Sequence, residues 1–386
     1  MKKWALFLAL ACLAGSARAA KVLSVEQLEQ WLAANRGKSD AHIAQQLSQM
    51  DLSERVSPVR LARWEKTVTG SKTREELMRL ADSGAFLKQP AEDILRDPPP
   101  DTERQKKMIE LAVDYVKETG SRLPNFYATR TTTHFGDTPI RDEIPVPGAT
   151  PKAQFMPLSS VAAAPAAKRL QRSDTFSATV TYRDGAEVHD TTGRGAAEVP
   201  STTGMTTYGE FGPILTIVLD DAVQGQQLTW SHWEMGEENE PVAVFHYEVP
   251  ENESHYSVGI QNVTNVETVI PGYQGEISID PATGSIMRLT AVGVNIPTTK
   301  ITEAAILVEY ATVTLGNRNY ICPVHGVARS KMPIAVLPQQ SRGSSAAVQT
   351  HLNDISFTGY HLFRSEARMV SGADTPSSTT AQPSEK

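Results

Sequence analysis

The chain has 386 residues, 40% of them hydrophobic, with 44 acidic and 37 basic side chains for a formal charge of −7. An acidic balance with no basic run excludes nucleic-acid binding by charge and electrostatic docking on anionic lipid. The length favours two modules over one.

Lys2 and Lys3 precede an apolar stretch from Trp4 to Leu13 and the small-residue triplet Ala17-Arg18-Ala19. That order of charged, apolar and cleavage regions is the pattern of a secretory signal peptide over residues 1–19. The apolar part, about ten residues, is half the length a membrane-crossing helix needs. We expect cleavage between Ala19 and Ala20 and a periplasmic or secreted destination. Lipidation at Cys12 is disfavoured because the leucine of Ala9-Leu10-Ala11 stands one place too late. Later stretches are too short or too polar for a transmembrane segment. Cleavage leaves one cysteine, Cys322, so the mature chain has no intramolecular disulfide and depends on a packed core.

Residues 20–96 read as a helical module. Ser24 with Gln27, and Thr73 with Glu76, fit capping boxes. Ser57-Pro58 fits an N-cap followed by proline at the first helical position. Gly70 and Gly84 read as stops. Leu28, Trp31 and Leu32, then Ile43, Leu47 and Met50, then Leu61 and Trp64, then Leu77, Leu80 and Ala81 form four apolar stripes. Short amphipathic helices are unstable alone, so a small bundle is expected.

Asp97-Pro98-Pro99-Pro100 begins a Pro-rich linker over 97–101, since consecutive prolines cannot continue a helix. A longer helix is predicted over 102–119, opened by Thr102 with Gln105, with Ile109, Ala112, Val113 and Val116 on one face. From Phe126 the period changes to two. Phe176 to Tyr182 alternates into the turn Asp184-Gly185. Leu228 to Trp233 and Val242 to Val249 flank the acidic loop around Glu237 and Glu238. Strands are also predicted on both sides of Asp280 to Gly284 and of Gly316-Asn317, with a last one at Ile355 to Leu362. Short turns between successive strands imply an antiparallel meander, because parallel strands need long crossovers. The helix at 102–119 and the apolar stretch Phe211 to Leu219 are expected to cover it. Residues 150–172, rich in Ala and Pro, are expected to form an irregular excursion and 371–386 a disordered tail. The fold class is α+β: a small helical bundle, then a curved antiparallel sheet, or half-barrel, covered by helices and spanning 102–370.

Several phrases recur together: Leu123-Pro124-Asn125-Phe126 with Thr129-Arg130-Thr131-Thr132; Gly209-Glu210-Phe211-Gly212; Trp230 with Val242 to Tyr247; Gly272-Tyr273-Gln274-Gly275-Glu276; and Tyr310 with Tyr320-Ile321-Cys322-Pro323-Val324. As a set, over about residues 103–365, they resemble a family of exported acidobacterial proteins of unknown function. The strand order is also similar to the periplasmic half-barrel of lipoprotein carriers and RseB-type envelope sensors. The second likeness implies a sheet wrapped around apolar helices and does not by itself establish lipid carriage.

Trp230, Trp233, Phe245, Tyr247 and Tyr273 concentrate aromatic area in the sheet. They form either its core or the lining of an apolar pocket for an acyl chain, and they are the ligand-pocket candidates. Cys322 and His325 suggest a metal or thiol site, but residues three apart on a strand point to opposite faces unless a bulge intervenes, so no metal is assigned. His232, Glu234, His246 and His255 gather near one hairpin; a metal there is disfavoured. The turn Met235 to Glu240 lacks the ligand spacing of a calcium loop. No cofactor is predicted, and no recognised catalytic motif is present. The expected function is non-catalytic: an envelope protein binding a lipid or acyl ligand or a partner protein. The alternative is an envelope-acting hydrolase built on His232, Glu234 and His246.

Overall fold

The computed structural model describes residues 21–137, 169–188, 204–205, 210–225, 227–236, 240–261, 266–298, 300–333 and 348–363. The signal segment 1–19, most of the excursion 150–172, the hairpin tip 237–239 and the tail 371–386 lie outside the described residues.

The N-terminal segment contains the four predicted helices and something the sequence did not announce. Strand β1 (Lys21–Leu23) pairs in parallel with β2 (Met50–Leu52), so Met50 is a strand residue and the segment is mixed where helices alone were expected. Helices α1 (Val25–Asn35), α2 (Asp40–Leu47), α3 (Pro58–Thr67) and α4 (Ser71–Ser83) surround this ladder. Leu28, Leu47, Met50, Leu52, Trp64, Leu77 and Leu80 form their common core. The Ser24–Gln27 capping box is present. Thr73 plays no such role. It sits inside α4, and its amide and that of Lys72 donate to the Asp40 carboxylate, reaching over from α2, at 2.8 and 3.2 Å. Gly70 accordingly opens α4 instead of closing a helix. A Cβ there would lie 2.0 Å from Asp40 Oδ1, so glycine is what allows the neighbouring carboxylate to serve as the cap.

Strand β3 (Ile94–Leu95) then leaves this segment and pairs with the main sheet, Ile94 opposite Glu234 and Leu95 opposite Trp233. The Pro-rich stretch is tied as well, because the Pro98 carbonyl accepts from Trp233 Nε1 at 3.1 Å. Helix α5 (Thr102–Arg122) is capped by Asp101, whose Oδ1 accepts from the Arg104 amide at 2.8 Å. Gln105 turns to the Pro100 carbonyl, so the expected Thr102–Gln105 box is not formed.

The remaining elements are β4 (Phe126–Gly136), β5 (Gln171–Arg183), β6 (Ala186–Val188), β7 (Gly204–Met205), α6 (Pro213–Gln224), β8 (Thr229–Met235), β9 (Pro241–Val249), β10 (Val258–Gln261), β11 (Val266–Val269), β12 (Gly272–Ile279), β13 (Ile286–Val294), β14 (Glu303–Leu315), β15 (Arg318–Pro333) and β16 (Val348–Leu362). The main sheet is antiparallel and eleven-stranded, in the order β3-β8-β9-β12-β13-β14-β15-β16-β4-β5-β6. From β8 to β16 it is the expected meander, interrupted in the chain by β10 and β11, which join a separate sheet; β16 then returns to pair with β4. The sheet is open, with β3 and β6 at its edges. A small sheet of β11, β10 and β7 stands beside it. Asp184 and Gly185 both have positive φ, 53° and 83°, as the two-residue turn between β5 and β6 requires.

Alternation along the strands divides the sheet into two faces. One carries Phe245, Tyr247, Tyr273, Ile277, Ile306 and Val308 against Met108, Ala112 and Val116 of α5 and Ile214, Val218 and Ala222 of α6. The two predicted coverings therefore do cover the sheet. The opposite face carries Phe135, Leu307, Val327 and Leu352, packed against Ala85 just after α4. Among the described residues, no helix is long and apolar enough to cross a membrane.

Candidate functional site

The second face also holds buried charge. A register shift between Trp230 and His232 leaves Ser231 without a partner on β9. Trp230 and Trp233, three apart, consequently both pack with the helix-covered core. Glu234 is aimed the other way. Its Oε1 accepts from Arg55 of the N-terminal segment, from Arg288 Nη2 of β13 at 2.9 Å, and lies 3.2 Å from His232 Nε2. The three ionic side chains Arg55, Glu234 and Arg288 are each less than a tenth exposed. Burial pushes the Glu234 carboxyl up, but the Arg288 and Arg55 guanidiniums together outweigh it and hold the group well below the ordinary carboxylate range. Arg288 also donates to Ser278 Oγ, which fixes its fork along β12.

A second cluster lies farther along the same face. His325 of β15 places Nδ1 3.0 Å from Glu309 Oε2 of β14, its cross-strand partner. Its Nε2 lies 3.3 Å from Asp82 Oδ1 of α4 and 3.4 Å from Asp354 Oδ1 of β16. Burial pushes the Asp82 carboxyl up to about 6 against the pull of His325. Burial lowers the His325 value, and Asp82, Asp354 and Glu309 more than reverse this, placing it well above the ordinary imidazole value.

Two cavities follow this interface between helices and sheet, and a third lies along the sheet, reaching the N-terminal segment only at Pro58. One of about 120 Å³ touches Asp82, Glu309 and His325. Another, about 470 Å³, touches Arg55, Lys88, His232, His246 and Arg288. The third, about 510 Å³, sets Met235, Val242, Met287, Ile321 and Val324 beside Glu234, Glu240 and Arg288.

The five aromatic candidates lie elsewhere. Phe245, Tyr247 and Tyr273 are fully buried, Trp233 nearly so and Trp230 half-buried, all within the helix-covered core. Tyr273 donates to Asp221 Oδ2 at 2.8 Å and Tyr247 to the Thr290 carbonyl at 2.5 Å. Trp230 meets Trp233 and Phe245 edge to face, with centroids 4.8 and 5.5 Å apart. None of the three cavities just described touches these five.

Cys322 and His325 are separated. The thiol packs with Phe126, Ala128, Val180 and Phe357, and burial pushes it up to about 12. The histidine faces the carboxylates. His232 and His246 meet at one cavity, whereas His255 binds Asp221 at 2.7 Å beside α6. Sequence reasoning missed Arg55, Asp82, Arg288 and Asp354. Arg288 left a signal, a lone charge inside the apolar strand Ile286-Met287-Arg288-Leu289.

The fold and these clusters define an α+β protein in which buried ion pairs join an N-terminal helix–strand segment to an open antiparallel sheet. No family model matches the chain, and neither a curated protein nor a solved structure is similar to it.

Proposed function

We propose that the chain is a non-catalytic binding protein of the cell envelope, in which the open sheet, taken as a half-barrel, together with Pro58 at the start of α3, lines a site for an amphipathic ligand such as a lipid. The observation that carries this reading is the 510 Å³ cavity, where methionine and branched aliphatic side chains line one part of the wall and Glu240 and Arg288 another. Its size falls within the range of small-molecule sites, and its mixed lining suits an acyl chain with a polar head. The aromatic set serves as the rigid core behind the sheet, so the pocket lies on the face opposite the one those residues occupy.

Native mass spectrometry of protein purified from its host tests the proposal. A lipid-mass adduct released by organic solvent is expected, and Val242→Trp, which fills the cavity, should lower its occupancy. Protein that carries no adduct and takes up no fluorescent fatty acid would point instead to a partner-binding scaffold.

One observation favours a hydrolase. Ser231 Oγ lies 2.8 Å from His232 Nδ1, and His232 Nε2 faces Glu234, the order of nucleophile, base and carboxylate. Two guanidiniums already hold that carboxylate, which weakens its support for an imidazolium, so the binding reading is preferred. Hydrolysis of a p-nitrophenyl ester that disappears in Ser231→Ala would reverse the preference.

A further inference from the structure

We infer that Asp82, His325 and Asp354 form a binding site for a divalent transition-metal ion that staples α4 to the sheet. Three elements, α4, β15 and β16, bring one ligand atom each to within 4.8 Å of one another. The distances fit an ion site. A charge-assisted hydrogen bond from an imidazolium to a carboxylate spans about 2.7–2.9 Å. Here Nε2 stands 3.3 and 3.4 Å from the two aspartate oxygens, longer than that. Those separations equal the edge, about 3.3–3.4 Å, of a tetrahedron with metal–ligand bonds of 2.0–2.1 Å.

A second observation is independent of the clustering. Asp82 is only 2% exposed, yet its Oδ2 has no hydrogen-bond partner. An orphaned carboxylate oxygen in the interior is costly, and a cation relieves that cost. Glu309 completes the arrangement. By accepting from Nδ1 at 3.0 Å it holds the ring with Nε2 directed at the aspartates, where an ion would displace the Nε2 proton, the carboxylate–histidine–metal relation common around such ions. Three protein ligands leave a coordination position, and the 120 Å³ cavity beside Asp82 and His325 has room for a water or a ligand donor there. One nitrogen with carboxylate oxygens suits Zn²⁺ or Mn²⁺ better than a thiolate-preferring ion.

Metal-stripped protein dialysed against Zn²⁺, and separately Mn²⁺, followed by elemental analysis and a thermal melt, tests the assignment. About one equivalent of metal should be retained, with a melting temperature raised by several degrees. Asp82→Asn and Asp354→Asn should lose both effects while keeping the circular dichroism of the parent. Asp354, half-buried on a strand, is the safeguard should the α4 variant fail to fold. Glu309→Gln, a positioning change, should keep the stoichiometry and bind about 10–100-fold more weakly. The assignment is overturned if the parent retains neither metal, or if a folded Asp82→Asn or Asp354→Asn binds as well as the parent.

Discussion

Glu234 shows how much can depend on one side chain in this interface. Two guanidiniums and an imidazole converge on a single carboxylate oxygen. Removing the negative charge leaves Arg55 buried without its counter-ion and Arg288 with only Glu276, 3.7 Å away, so Glu234→Gln should destabilise the fold by about 3 kcal/mol, measured by urea unfolding. The pH dependence follows from the direction of the shift. The folded-state value lies below the ordinary 4.5, so the carboxylate's contribution is complete above that pH and is lost as the pH falls below it. The urea midpoint of the parent should therefore drop on acidification from pH 5 to pH 3, and that of Glu234→Gln should drop less. At this scale the sequence was only partly legible. Glu234 and His325 drew attention because charged and metal-ligating residues stand out in a strand. Their partners Arg55 and Asp82 lie far away in the chain, and nothing local marks a helix-end aspartate as facing a histidine on a distant strand. Cys322 and His325, near in sequence but not assigned a shared site, lie on either side of a register shift between β14 and β15, the thiol packed with Phe126 and Phe357 and the imidazole facing carboxylates.

Among the elements, those with strong local chemistry were the most legible. Period-two strands closed by Asp184-Gly185 or by Asp280 to Gly284 were readable because a tight turn constrains both residues and register. The parallel ladder β1–β2 was not, since three-residue strands carry too little pattern to separate from a helix flank. Capping was legible only where donor and acceptor are neighbours, as at Ser24 and Gln27; the Asp40 cap on α4 is a tertiary contact. The turn between β12 and β13 presents the sharpest test. Gly284 has φ +77°, and a Cβ there would come within 2.4 Å of the Leu111 backbone in α5. Gly284→Ala combines left-handed strain, which alone costs about 1–3 kcal/mol, with that collision. It should lower the melting temperature and loosen α5, read as faster amide exchange around Leu111. Ser24→Ala, which removes an exposed cap, should cost only about 1 kcal/mol.

For the molecule as a whole, the α+β class and the helix-covered meander were legible, whereas the joining of the two parts was not. Composition and the proline run suggested a tethered module. The chain instead threads β3 into the sheet edge, binds the Pro98 carbonyl to Trp233, and buries Arg55 against Glu234. Unfolding should accordingly be one cooperative transition, with Trp-dominated fluorescence and far-ultraviolet circular dichroism giving the same midpoint. Arg55→Ala should separate the two signals by weakening the seam. The pairing of β16 with β4 has a consequence for how the protein is made. Strands β4, β5 and β6 emerge early in synthesis and can pair with one another, yet β4 gains its second sheet neighbour only once the last fifteen strand residues have been added. Until then two long edges stand open to pairing with other chains, the condition under which β proteins aggregate. Ribosome-bound or prematurely terminated chains ending before Val348 should thus depend on a holding chaperone in a way the complete chain does not.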